Sequence, residues 1–169
     1  MKYDGILTTQ MKGDGPFRVL ISDFNKENKK LNGNIRGYAS FDDIMKEGDS
    51  LQNMFGEDAY LAITIDQGSF MERYQGIVKL EGDTITHAAE EYFRSSEQLP
   101  TKIVLACDQD EYGVWQACAI MIQHYARSAE GEYVRDETKT KEDWNNSSIL
   151  LSTIKKVELL DKKLSLQNL

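Results

Sequence analysis

Cysteine, histidine and proline are all scarce in this 169-residue sequence, two of each. Cys107 and Cys118 form no CxxC pair, and His87 and His124 lie far from them in sequence. A structural zinc site needs about four N or S ligands, and the chain offers no such set. Long apolar runs are missing as well. No window approaches the ~20 apolar residues that cross a bilayer, and the N-terminal MKYDGILTTQ has no apolar h-region. The reading is a cytoplasmic protein without a membrane partner. Positive charge is in short supply: 20 Lys and Arg stand against 28 Asp and Glu, a net charge of -8. That balance repels phosphate-rich partners and argues against nucleic acid. The one dense basic stretch, Lys26 to Lys30, is interrupted by Glu27 and Asn28 and reads as a solvated loop.

Signatures of catalysis are equally thin. No Ser or Cys sits in a nucleophile-elbow context beside either histidine. The glycines of KGDGP lack GxGxxG or Walker spacing and precede a strand, which makes them turn residues.

What is present is a fold pattern. A chain of this length fits one domain and buries roughly 70% of the surface its unfolded form exposes. Period-2 alternation punctuated by glycine dominates the first half, as expected of half-buried antiparallel strands. ILTTQM, KGDGP and FRVLIS make a hairpin, with Phe17, Val19 and Ile21 on one face. DFNKENKK reads as a polar loop, and LNGNIRGYAS as a weak or bulged strand. One or two short helical turns are expected to start at Ser40 or Asp49. AYLAITID sets Ala59, Leu61, Ile63 and Ile65 against Tyr60, Ala62, Thr64 and Asp66, and MERYQGIVKL follows as the next strand. In GDTITHAAEEYFRSSEQLP, Ile85, Ala88, Ala89, Tyr92 and Phe93 recur with helical period, Asp83 is the expected cap, and Pro100 the stop.

TKIVLAC and VWQACAIMIQHY are two further strands. With their turn centred near Asp110, Cys107 faces Val114 and Cys118 faces Ile103, about 13 Å apart along the strand. That is beyond the ~7 Å a disulfide tolerates, and both thiols read as buried strand residues. Residues 127–141 form a polar flap. Helices follow over 142–169, with Leu150, Ile154 and Val157 as their stripe. Strands, one helix, strands, then helices argue an α+β fold rather than a doubly wound one.

Two sets of side chains compete as a site. Glu72 and Glu81 are candidate paired carboxylates, with Arg73 to hold an anion and Asp83 to tune a pKa. The bland alternative is a strand, a Gly82 turn and a capped helix, because neighbours in a strand point to opposite faces. His87, off the apolar stripe, is a surface residue. The second set is apolar: among Phe17, Phe24, Phe70, Met71 and Tyr74, most belong to the core, yet methionine and aromatic surface can repack around varied partners.

ERYQGIVKLEGDT followed by YFRSSEQLPT resembles the redox-regulated holdase chaperones, the thirty-three-kilodalton heat-shock protein family. YDGILTTQMKGDGPFRVLISD is similar to that family's hairpin, IRGYA to the next strand, AIMIQ to a later one, and EDWNNSSILLSTIKKVELL to the helices after the flap. The likeness spans nearly the whole chain. It implies a three-layer β/α/β domain of mainly antiparallel strands, with residues 83–98 as its buried helix. Strands and central helix would occupy 1–126 of a single core domain covering 1–169.

The implied activity is ATP-independent holding of unfolded or partly folded proteins, with self-association as a dimer a further option. Zinc is expected only in the family's C-terminal CxC…CxxC module, whose four cysteines control activation by oxidation. Measured against the family pattern, the chain starts at the hairpin, without an N-terminal helical segment, and stops before linker and zinc module. Cys107 and Cys118 do not match the redox cysteines. Phe70, Met71 and Tyr74 are the client-binding candidates, with no catalytic or metal-binding residue. The alternatives are an enzyme or small-ligand domain using Glu72, Arg73 and Glu81, and a non-functional fragment of the chaperone.

Overall fold

A computed structural model describes residues 4–26, 33–42, 48–68, 71–124 and 137–161. The chain packs as two compact units, residues 1–97 and 98–169.

The first unit is built on five antiparallel strands: β1 (Gly5–Lys12), β2 (Phe17–Lys26), β3 (Asn34–Phe41), β4 (Tyr60–Asp66) and β5 (Tyr74–Lys79). Their order across the sheet is β3-β2-β1-β4-β5. Alternation puts Leu7, Met11, Leu20, Leu61, Ile63 and Val78 on one face. Two helices cover that face, α1 (Leu51–Phe55) and α2 (Ile85–Ser95), and Phe55, Leu80, Ala88 and Tyr92 complete the buried cluster.

Several local expectations are revised. Phe17 does not share a face with Val19 and Ile21. The β2–β3 register shifts between Phe17 and Val19, and this irregularity turns Phe17 into the core, 5.0 Å from Phe55 between ring centroids. Asp23 to Lys26, read as loop, continue β2, because β1 and β3 pair with it on both sides and satisfy its backbone. Ser40 lies in β3, and the helical turn is capped by Ser50, whose Oγ accepts from the Asn53 N–H at 3.2 Å. Thr84, not Asp83, caps α2: its Oγ1 accepts from His87 N–H at 3.2 Å. The helix ends at Ser95, well before Pro100, and Gln98 then adopts a φ of 55°. Of the expected apolar stripe, Ala88 and Tyr92 are buried, Ala89 and Phe93 half-buried, and Ile85 exposed.

The second unit holds an antiparallel hairpin, β6 (Thr101–Gln109) and β7 (Trp115–Gln123), with helices α3 (Glu137–Thr153) and α4 (Lys156–Leu159) packed along β6. Asp110 organises the turn: its carboxylate accepts from the N–H groups of Tyr112 and Val114, both at 3.0 Å, and Gly113 supplies a φ of +76°. The strand register differs from the expected one by three residues. Cys107 pairs with Ala117, and Cys118 with Ala106. The two thiols are thus close in register but on opposite faces of the hairpin, which is what excludes a disulfide here. Nor are both buried: Cys107 is exposed and Cys118 half-buried.

The end of the expected flap, from Glu137 onward, is helical, while 125–136 lie outside the described residues, as do 162–169. Extended backbone at Lys155 separates α3 from α4, so a stripe counted through it loses phase. Leu151 and Leu159 are buried, while Leu150 and Val157 are exposed.

Candidate functional site

The catalytic candidates do not converge. β5 begins at Tyr74, so Glu72 and Arg73 precede the strand instead of lying in it, and Glu81 follows its far end. The strand alone spans about 17 Å, beyond the ~5–10 Å at which paired carboxylates share one bond. Arg73 is engaged elsewhere. Its guanidinium donates to Asp66 Oδ2 at 2.7 and 3.1 Å on exposed surface. The Gly68 backbone N–H, and then Arg73, hold the Asp66 carboxyl below its ordinary range. Glu72, Glu81, Asp83 and His87 are exposed. Among the described residues, no three His, Cys, Asp or Glu side chains gather where they could hold a metal ion, and no helix is long and apolar enough to cross a membrane.

The apolar candidates fare differently. Phe70 lies outside the described residues. Met71 and Tyr74 are exposed, at 60% and 42%. Tyr74 is also anchored: its hydroxyl donates to Glu97 Oε1 at 2.8 Å, and the buried Tyr92 donates to that same oxygen at 2.9 Å. The Glu97 hydrogen bond raises the Tyr74 pKa, and burial followed by Glu97 raises that of Tyr92. Sequence patterning could not find this pairing, because Glu97 sits past the helix end where periodicity carries no information.

A larger apolar surface escaped the sequence reading. On one face of the second-unit hairpin, Leu105, Trp115 and Met121 are exposed at 45%, 68% and 49%, alongside exposed Cys107, Ala117 and Ala119. Strand register puts them together: Leu105 is opposite Ala119, Cys107 opposite Ala117, and Gln109 opposite Trp115. This face carries no charged side chain from Thr101 to Gln109 or from Trp115 to Gln123. The signal was available in the apolar alternation of WQACAIMIQ, but not which side would be covered.

Comparison with known proteins is consistent in direction. The family model described as Hsp33 protein matches residues 1–169. A 33 kDa chaperonin of Caulobacter vibrioides is 35% identical over 175 residues, covering 98% of this chain and 54% of that protein. One of Proteus mirabilis is 38% identical over 165 residues, covering 96% and 52%. The crystal structure of a 33 kDa chaperonin from Thermotoga maritima superposes with a TM-score of 0.67 over 99% of this chain and 54% of that one. At 16% identity, that likeness concerns the fold, which is α+β with antiparallel sheets in both units here. The chain spans about half the length of the curated relatives it matches. By the family model over its whole length and by these relatives, this chain belongs to the Hsp33 family.

Proposed function

We propose that the chain acts as a holdase: it binds unfolded or partly folded proteins on exposed apolar surface and keeps them from aggregating, without ATP and without catalysing a reaction. The observation that carries this is the uncharged apolar face of the β6–β7 hairpin. Soluble proteins rarely leave such a face open unless something binds there. Met71 and Tyr74 supply a second apolar contact in the first unit: a thioether that repacks around varied partners beside a ring held in place by Glu97.

The enzyme alternative loses support from the same geometry, since Arg73 is spent on Asp66 and the glutamates stand at opposite ends of β5. Redox control is proposed to be independent of Cys107 and Cys118, which face away from one another. Light scattering of chemically unfolded citrate synthase diluted into buffer tests the proposal. The chain is expected to suppress the signal at stoichiometric amounts, and no suppression at several-fold molar excess would overturn it.

A further inference from the structure

Among the described residues, strand β7 forms an edge of its two-stranded sheet. Among the described residues it pairs only with β6, so no strand lies beside its outward N–H and C=O groups. An isolated two-stranded sheet is marginally stable in water; here the packing of α3 and α4 supports the hairpin, which leaves its edge unpaired without unfolding it. Among the described residues, helices α3 and α4 pack mainly along β6, and α4 borders β7 only at a cleft.

Edges of soluble sheets are normally guarded by lysine, proline or a bulge. The sequence of β7, WQACAIMIQ, has no proline and no charge, and its register with β6 is unbroken over nine residues. β6 differs, with Lys102 and with Asp108 held by Lys156 at 2.8 Å. The two flanks of the β7 edge differ, one apolar and one mixed. Trp115, Ala117, Ala119 and Met121 are exposed on one face. On the other, a cleft of about 310 Å³ is lined by Gln116, Cys118, Leu159, Leu160 and the carboxylate-bearing Asp161.

The geometry points to β7 as the edge on which an extended, uncharged segment of an unfolded polypeptide is captured by β-strand addition. Its backbone becomes the third strand, and its alternate side chains lie beside the Trp115–Met121 face and over the α4 cleft. This rests on the holdase reading and adds the chemistry of recognition to it. Backbone pairing is indifferent to most client sequence. It rejects proline, which lacks the N–H, and charge set against the Trp115–Met121 face, which would lose its water there.

Amide hydrogen exchange of this chain, with and without captured, chemically unfolded citrate synthase, tests it. The β7 amides that point away from β6 are expected to slow about tenfold or more on client binding. The double variant Ala117→Lys/Ala119→Lys, which installs guarding charges at exposed positions, is expected to need roughly tenfold more chaperone for half-suppression while melting like the parent. Should that variant not melt cooperatively, the exchange measurement on the parent chain decides alone. Aggregation suppressed with β7 exchange unchanged overturns the edge and leaves the holdase reading standing; no suppression at all overturns both. Protection that grows with protein concentration in the absence of client assigns the edge to a second copy and overturns the inference as well.

Discussion

The ring of Tyr92 occupies the space that a side chain on Gly76 would need: a β-carbon there would stand 2.6 Å from the ring's Cε2. Glycine in the interior of a strand costs stability unless something approaches closely, and here the approaching group is the largest fully buried side chain of the core. Gly76→Ala is expected to cost about 1–3 kcal/mol through overpacking. Combined with Tyr92→Ala, it is expected to cost clearly less than the sum of the two single changes, since the second removes the clash. Urea unfolding followed by circular dichroism measures both, and strict additivity would refute the contact.

The two tyrosine hydroxyls on Glu97 Oε1 give the first unit an alkaline limit. Both pKa values are raised in the fold, so these tyrosines keep their protons at a pH where those of the unfolded chain, titrating near 10, have lost them. Their contribution is complete below about pH 10 and is lost as pH climbs through the raised folded values. Tyr92→Phe removes the buried hydroxyl and is expected to flatten that decline. Urea midpoints between about pH 8 and pH 11 provide the measurement; parallel curves for parent and variant would exclude the coupling.

Capping of α2 separates two adjacent residues. Thr84→Ala removes the acceptor of the His87 N–H and is expected to cost about 1 kcal/mol. Asp83→Ala leaves that bond in place and removes only a charge near the helix start, a matter of a few tenths of a kcal/mol. Thermal melts of the two variants are expected to rank in that order.

The cysteines offer a test of register. With Cys107 and Cys118 on opposite faces of the hairpin, mild oxidation is expected to leave no intramolecular disulfide, as read by mass spectrometry of a non-reduced digest. An internal disulfide in folded protein would require a register shifted by one residue, which flips one strand's side chains to the other face.

The catalytic candidates give a further contrast. Glu72→Gln, Arg73→Ala and Glu81→Gln are expected to leave both the melt and aggregation suppression unchanged, because all three are exposed and Arg73 only pairs with a surface carboxylate. Loss of suppression on changing Arg73 would place the site where the structure does not.

Strands and the central helix were legible because their periodicity is local. Leu61 and Ile63 alternate, and Ala88 and Tyr92 recur four apart, whatever they pack against. The failures share a cause. The face that Phe17 takes is not legible in β2 alone, because it depends on a register irregularity with β3. The cysteine register departs from the expected one by three residues because a turn's hydrogen bonds, here those of Asp110, set where a hairpin folds back. The Leu150 stripe failed because extended backbone at Lys155 breaks the helix that the count assumed to be continuous.

The stretch MERYQGIVKLEGDTITHAAEEYF illustrates the division. From sequence alone it carried the family likeness, a strand, a turn and a helix, since each depends on residues within a few positions of one another. Tertiary structure alone decided that Gly76 yields to Tyr92, that Arg73 answers Asp66, and that one oxygen of Glu97 serves two tyrosines. It also decided which face of the second hairpin stays open, because burial of a strand's two faces depends on where distant helices come to rest.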